Sequence, residues 1–292
     1  MNYTELATHI TARLVAQIES GPGAWQMLWH RTPGVLDARN AATTNRYRGA
    51  NTIVLAVTAL DRSYPSTWWA TYRQWTELGA QVLRGETATR VVKWMPGRGT
   101  ADTDNNEADS SDGRALLVPR VYAVFNAAQV HGWTPTHQAP IDDIERDARA
   151  ERWIANTGAA IGYGFDHACY RPSVDRIEIP AAQQFTSSVG FYSVVCHELV
   201  HWSGHTSRLA RDLTGRFGSD AYAAEELVAE LGAAIACAHL DIASTGRDDH
   251  AAYLARWLRI LKADPKALFA IAAKAQAAVD WLDGLQPAVG EP

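Results

Sequence analysis

The sequence predicts an α+β protein, with an N-terminal α/β domain followed by a mainly helical domain that carries a small antiparallel sheet. Three observations lead to this class. An apolar stripe at helical spacing covers residues 3–19. Two runs rich in valine and aromatic residues follow at 82–94 and 116–125, which is the composition of β-strands. Beyond residue 140 the apolar spacing is again helical, apart from a predicted strand pair around 171–175.

The remaining elements follow from periodicity and from the residues that interrupt it. The further predicted helices cover 52–60, 66–78, 141–161, the segment around 194–202, 224–240, 249–261 and 265–282. Gly79 is expected to end the predicted helix over 66–78, because glycine readily adopts the left-handed conformation that ends helices. Residues 97–113 are acidic and poor in apolar side chains, so we predict a flexible loop at a hairpin tip. The Pro- and His-containing stretch 134–142 is a better candidate for a domain boundary than the acidic loop. It divides the chain into predicted domains 1–135 and 140–292.

Composition indicates a soluble globular protein with a sizeable core. The 292 residues are 47% hydrophobic and 20% charged. No apolar run is long enough to cross a bilayer, and the N-terminus lacks the pattern of a signal peptide, so we expect no membrane association. Three scattered cysteines in apolar surroundings predict reduced core thiols and a cytoplasmic location.

The charge is distributed unevenly along the chain. The net charge is −5, but residues 1–98 hold 11 Lys and Arg against 6 Asp and Glu, whereas every later part is acidic. Such asymmetry indicates that the first third meets a polyanion.

The His197-Glu198-Leu199-Val200-His201 segment predicts a catalytic metal site. On a helix, positions i and i+4 lie on one face, so His197 and His201 can bind one divalent ion. Glu198 lies where it can take a proton from a water on that ion. The neighbouring residues are apolar nearly all round the helix, so its polar side chains are buried and need partners.

A third protein ligand is expected from the helix that begins near residue 224. Glu226 and Glu230 lie on one face of that helix, followed by small residues that permit close helix packing. We therefore expect Glu226 to be the third ligand and Glu230 to orient a ligand histidine. Glu225 is the alternative ligand on this helix; otherwise it is expected to point away from the metal, as a solvated or N-terminal charge favoured by the helix dipole. His205 is the weaker alternative as a ligand, because Gly204 is expected to end the helix before it.

The basic N-terminal third is also rich in aromatic residues, with six of the 11 tryptophans. Aromatic side chains beside cations can stack unpaired bases and track phosphates, so single-stranded DNA is a candidate partner. Packing of these tryptophans in a core is the competing interpretation. The candidate DNA-contacting residues are Arg46, Tyr47, Arg48, Asn51, Trp68, Tyr72, Arg84 and Lys93.

An ordered series of motifs spans nearly the whole chain. It consists of NRYRGAN at 45–51, WWATYRQWTELG at 68–79, QVLRGE at 81–86, VFNAAQV at 124–130, YRPSVDRIEIP at 170–180, HELVHWSGH at 197–205 and FGSDAYAAEELVAE at 217–230. The series resembles the ArdC-type antirestriction family of plasmids and other mobile elements, which shares its N-terminal part with TraC-like primases. The acidic stretch 97–113 is longer than a hairpin tip requires, and this is the one visible departure.

The resemblance implies a single-stranded-DNA-binding N-terminal domain and a zincin-like metallopeptidase domain that together shield incoming DNA from host restriction during transfer. The expected cofactor is Zn²⁺, with Mn²⁺ or Co²⁺ as alternatives because imidazole and carboxylate ligands accept all three. The expected partners are single-stranded DNA and a protein substrate, for example of the host restriction system. Glu198 would act as general base, and His205 or Tyr222 would help to stabilise the oxyanion.

Two other functions remain open from the sequence. The protein could shield DNA by occupancy alone, with proteolysis irrelevant. It could also be a plain cytosolic metallopeptidase with a tryptophan-rich accessory domain. Priming is the least favoured activity, because no clustered acidic metal site of the polymerase kind is visible in residues 1–130.

Overall fold

The computed structural model describes residues 2–20, 34–96, 117–135, 143–213, 219–242 and 250–287. The helices are α1 Tyr3–Ser20, α2 Ala50–Asp61, α3 Tyr72–Glu77, α4 Asp143–Asn156, α5 Ser188–Ser203, α6 Asp220–His239, α7 His250–Ala263 and α8 Ala267–Gly284. The strands are β1 Arg39–Asn40, β2 Trp68–Ala70, β3 Gln81–Val82, β4 Thr89–Pro96, β5 Leu117–Asn126, β6 Val130–His131, β7 Ala160–Tyr163, β8 Cys169–Arg171 and β9 Arg176–Ile179. The predicted α+β class is confirmed.

The N-terminal half contains two small sheets. The larger has the strand order β1-β2-β5-β4, with β1 parallel to β2 and the other two pairs antiparallel. Strands β3 and β6 form a separate antiparallel pair. Asn51 on α2 fastens that helix to β4, since its side chain exchanges hydrogen bonds of 2.7 and 2.8 Å with the backbone of Val92.

The C-terminal half is mainly helical, as expected, but its small sheet is mixed rather than antiparallel. The strand order is β7-β9-β8, in which β7 runs parallel to β9 and only β8 is antiparallel to it. The prediction missed β7 because it extended the helix before it to residue 161. That helix ends at Asn156, and Gly158 with a φ of +70° turns the chain into the strand.

A second prediction was also wrong, because the expected helix over 66–78 divides into β2 and the short helix α3. Thr71 separates them as an N-cap: its hydroxyl accepts a hydrogen bond from the backbone N–H of Gln74, whose side chain bonds back to the Thr71 N–H. The aromatic spacing looked helical, but Trp69 lies opposite Asn126 in the sheet. Tertiary strand pairing therefore decided this segment.

One apolar core runs through both halves of the described chain. It joins residues of α1 and α2 to those of α5, α6 and α8. Thr11 on α1 donates a 2.7 Å hydrogen bond to the carbonyl of Pro265, just before α8. None of the described helices is long and apolar enough to cross a membrane. The predicted acidic loop 97–113 and most of the predicted boundary 134–142 lie outside the described residues, so both stay predictions.

Candidate metal centre

Helix α5 carries the two histidines on a buried face. It begins after Ser187, whose hydroxyl accepts a 3.1 Å hydrogen bond from the N–H of Gly190, and it ends at Gly204 as expected. Most of its surface is enclosed, with Leu199 and Val200 fully buried. His197 and His201 therefore lie one turn apart in a site protected from solvent. Their Nε2 atoms are 3.1 Å apart.

Helix α6 brings the third donor, because it packs closely against α5. A Cβ atom at Gly232 would lie 2.8 Å from Cγ2 of Val200, so the absence of a side chain there permits the approach. One turn and a half earlier, the Glu226 carboxylate reaches both histidines. Its oxygens lie 3.5 Å from Nε2 of His197 and 3.4 Å from Nε2 of His201.

The donor set fits a divalent metal ion. One ligand atom from each of His197, His201 and Glu226 lies within 4.8 Å of the others. Two imidazoles and one carboxylate are the ligands of many catalytic zinc sites, and they also accept Mn²⁺ and Co²⁺. Burial alone would raise the pKa of Glu226, but hydrogen bonds and charge from the two histidines lower it far below its usual range.

The carboxylates around His201 favour the protonated form of its imidazole. Burial lowers the pKa of His201, but the carboxylates of Glu225 and Glu226 outweigh it and raise the pKa to about 10. A cation in this pocket is therefore favoured by its surroundings, whether that cation is a proton or a metal ion.

Two more carboxylates of α6 face the outer ring nitrogens of the histidines. An oxygen of Glu230 lies 3.6 Å from Nδ1 of His197, where we expected an orienting carboxylate. An oxygen of Glu225 likewise lies 3.4 Å from Nδ1 of His201. The expectation that Glu225 points away from the metal site as a solvated charge is wrong, because only 12% of its side chain is exposed and it faces His201. Such partners fix the ring orientation of metal-binding histidines.

Arg211 makes the burial of Glu225 tolerable, and it was not among the site residues predicted from the sequence. Its guanidinium donates hydrogen bonds to both Glu225 oxygens at 2.9 to 3.2 Å, and further bonds to Ser203 Oγ and the carbonyl of Val200. Burial alone would raise the pKa of Glu225, but the bonds from His201 and Arg211 lower it. Arg211 therefore ties the chain after α5 to a metal-site carboxylate. The only sequence signal is that a buried Glu225 would need a cation.

Glu198 and the donors open into a cleft of about 240 Å³. Glu198 is 2% exposed and lines this cleft together with His197, His201 and Glu226. The other lining residues are Ala168, Cys169, Tyr170, Pro172, Asp212, Leu213, Ala221, Tyr222 and Glu225. Tyr222, one of the two expected oxyanion residues, is thus in the cleft. His205 is not among its described lining residues, and its Nδ1 lies 2.8 Å from Ser207 Oγ.

The candidate DNA-contacting residues differ in whether the fold already engages their side chains. Tyr47 is mostly enclosed, and its hydroxyl accepts a 3.1 Å hydrogen bond from the side chain of Asn40. Burial raises the pKa of Tyr47. Asn51 is engaged with the backbone of Val92 in β4. Both side chains therefore hold the fold together.

Two of the candidate arginines are paired with aspartates. Nε of Arg46 lies 2.6 Å from an oxygen of Asp37, and Arg48 pairs with Asp280 of α8. Arg48 nevertheless keeps 60% of its side chain exposed.

The other four candidates lie nearer the surface. Trp68 packs edge to face on Trp133, with ring centroids 6.0 Å apart. Tyr72 is 52% exposed, and Arg84 and Lys93 are exposed as well. These last three side chains are available to a partner.

Two family models match the chain. The model described as N-terminal domain of anti-restriction factor ArdC matches residues 4–125, and the model described as zincin-like metallopeptidase matches residues 148–274. The N-terminal match covers the region with the basic excess, and the C-terminal match contains the whole donor set.

Proteins of similar sequence cover nearly the whole chain. The chain is 40% identical over 285 residues to an uncharacterized protein, y4eC, of Sinorhizobium fredii (strain NBRC 101917 / NGR234), covering 97% of this chain and 93% of that protein. It is 37% identical over 288 residues to a DNA primase TraC of Escherichia coli, covering 94% of this chain but only 26% of that protein. The chain therefore spans about a quarter of TraC.

Solved structures agree with the family models. The metal-free crystal structure of the antirestriction protein ArdC from plasmid R388 is 36% identical, with a TM-score of 0.75, and the match covers 96% of this chain and 97% of that one. Its Mn(II)-bound structure is 34% identical, with a TM-score of 0.76, covering 98% and 99%. The resemblance deduced from the motifs is confirmed, and the chain belongs to the family of ArdC antirestriction proteins.

Proposed function

We propose that this protein shields incoming DNA from host restriction by binding single-stranded DNA and carrying a metal-dependent peptidase site. The observation that carries the peptidase half is the convergence of His197, His201 and Glu226 within 4.8 Å, beside Glu198 in one cleft. The match to the N-terminal domain of ArdC and the basic first third support the DNA half. A protein with this role would act in the cytoplasm of the cell that receives the DNA.

Zn²⁺ is the proposed cofactor, and Mn²⁺ and Co²⁺ are the alternatives. When bound, such an ion polarises a carbonyl group and lowers the pKa of water. His197, His201 and Glu226 would hold it. Competition of the three ions for the metal-free protein, followed by atomic absorption, would rank them.

Each nearby side chain has a definite task in this proposal. Glu198 accepts a proton from the attacking water and passes it to the leaving amine. Tyr222, from the cleft wall, donates a hydrogen bond to the oxyanion that forms on the peptide carbonyl. Glu225 and Glu230 keep the imidazole rings turned toward the ion. The substrate would be a protein met on the transferred strand, for example one of the host restriction system.

The test is protection of an unmodified plasmid that enters a restricting host, with wild type compared with Glu198→Gln. The variant keeps all three metal donors, so metal content serves as the control for an intact site. Loss of protection with metal retained would support hydrolysis as part of the function. Full protection by the variant would instead favour shielding by DNA occupancy alone.

A further inference from the structure

The two longest strands form a ribbon with an unusual pair of cations. Lys93 in β4 lies directly opposite Arg120 in β5, and both side chains are exposed. Like charges in directly opposed positions of an antiparallel pair are destabilising. Within the part of the chain that the structure describes, neither residue makes an ion pair that would offset this repulsion. The described part of the fold therefore gives no reason for the pair.

Apolar and aromatic side chains flank these cations. Residues two apart on a strand share a face, so Tyr122 and Val118 lie on either side of Arg120, and Met95 follows Lys93. Tyr122 is 37% exposed and Val118 is 41% exposed. The Tyr122 hydroxyl donates a 3.2 Å hydrogen bond to Sδ of Met95, which fixes the ring. We call these five side chains the ribbon face.

The ribbon concentrates the exposed apolar surface of the described chain. Nine large apolar side chains remain exposed among the described residues, and four of them are on β4 and β5. Val118 and Tyr122 belong to the ribbon face, whereas Trp94 and Leu117 lie on the opposite face of the ribbon. Val118 and Tyr122 therefore place exposed apolar surface directly beside the two cations. β2 pairs with β5 only at Phe125 and Asn126, so no other described strand pairs with residues 117–124 on that edge of β5.

We propose that the ribbon face binds single-stranded nucleic acid. Lys93 and Arg120 contact phosphates, and the Tyr122 ring is the platform on which a base stacks. This inference rests on the proposed binding of single-stranded DNA and assigns it a surface. A single strand fits better than a duplex, because stacking on Tyr122 requires a base whose face is open. Since every base has such a face, the contact is independent of sequence.

The ribbon face is better suited to this role than the 45–51 segment. Arg46 and Arg48 already face aspartates, and Tyr47 is enclosed. By contrast, the two ribbon cations have no carboxylate partner among the described residues. A strand of phosphates would supply the missing negative charge and release counterions.

The experiment measures binding of fluorescently labelled oligo-dT to the full chain as a function of salt. The double variant Lys93→Gln/Arg120→Gln is compared with Arg152→Gln/Lys274→Gln, which removes the same residue types and charge from exposed positions on α4 and α8. Near 0.1 M salt we expect the ribbon variant to lose affinity about 25-fold and its salt slope to fall by about 1.4, at about 0.7 per phosphate contact. The control pair should stay close to wild type.

Tyr122 provides a second and independent test. Tyr122→Ala should weaken binding about 5- to 150-fold, the range expected for one lost base stack, whereas Tyr122→Phe keeps the ring and should bind almost as wild type. The thermal midpoint of the charge variant should not fall, because the substitution removes a repulsion.

The outcomes separate this inference from the function on which it rests. If wild type binds and the ribbon variants match the control pair, the surface is wrong while DNA binding stands. A loss confined to the single variant Arg48→Gln would place the strand near the Arg48–Asp280 pair beside α8 and overturn the assignment. If duplex DNA competes as well as single-stranded DNA, the role of Tyr122 as a base platform is wrong. If wild type does not bind oligo-dT at all, the DNA half of the proposed function fails with it.

Discussion

Replacing Arg211 by alanine should damage the metal site without touching a metal ligand. Arg211 is 7% exposed and holds Glu225, whose carboxylate faces Nδ1 of His201. Arg211→Ala removes the cation from a carboxylate that is itself only 12% exposed. The substitution also removes the hydrogen bonds to Ser203 Oγ and to the Val200 carbonyl at the end of α5.

The expected loss in the free energy of unfolding follows from the partners that Glu225 keeps in the variant. Breaking a buried ion pair by removing one partner costs about 3–5 kcal/mol, because a charge is left uncompensated. Glu225 keeps His201 as a partner and borders the cleft, which water can enter. We therefore expect a loss of about 3 kcal/mol in the free energy of unfolding, at the lower end of that range. Loss of an orienting partner should also weaken metal binding about 10- to 100-fold.

Two measurements on the same variant separate these effects. Urea unfolding of chelator-treated protein reports the stability of the metal-free fold. Competition against a chelator for Zn²⁺, and Mn²⁺ titration followed by electron paramagnetic resonance, report the affinity of the site. Arg211→Lys should recover part of both, since it restores the charge but not the two-pronged geometry.

Arg208→Ala is the matched control. Arg208 lies on the same segment, is 10% exposed, and makes a two-pronged pair with Asp175 at 2.5 and 3.0 Å. It should lose stability but keep wild-type metal affinity, because Asp175 faces no metal donor in the structure. Equal metal affinity in Arg211→Ala and Arg208→Ala would refute the positioning of His201 through Glu225.

Three further predictions concern the same region. Glu198→Gln should slow hydrolysis of a generic polypeptide about 100- to 10,000-fold with unchanged metal content; undiminished cleavage would mean that another group is the base. Gly232→Ala should lower stability by about 1–3 kcal/mol in urea unfolding despite better helix propensity, because the new Cβ would lie 2.8 Å from Val200 Cγ2. Adding Val200→Ala should relieve that clash, and a more stable single variant would contradict the packing argument. His201 has a pKa of about 10 in the metal-free fold against about 6.5 when unfolded, so its stabilisation is complete below about pH 6.5 and lost as pH rises through about 10. Thermal midpoints of metal-free protein should fall from pH 7 to 10, more steeply than with saturating metal; equal slopes would show that His201 is not the group responsible.

The residues of the candidate site that lie close together in the sequence could be predicted from the sequence. His197, Glu198 and His201 belong to one helix, and helical geometry fixes their relation whatever surrounds them. The helix that carries Glu226 and Glu230 could also be predicted, because small residues follow the two carboxylates on one face. Most helix positions followed from apolar periodicity for the same local reason.

Errors arose where distant residues decide the local conformation. The 66–78 segment has helical spacing, but Trp69 becomes part of a strand because β1 and β5 lie beside it. The parallel pairing of β7 with β9 joins segments whose order along the chain gives no sign of direction. Strand pairing depends on partners that a local pattern does not contain.

The sequence alone determined the helix that carries the candidate metal donors, the chemical types of those donors, the α+β class and the family resemblance, because these depend on spacing within short segments. Only the tertiary structure decided that Glu225 is buried, that Arg211 compensates it, and which cations face solvent. Burial and charge pairing depend on contacts between segments far apart in the chain. A carboxylate such as Glu225 has the same sequence signature whether it faces water or a metal site.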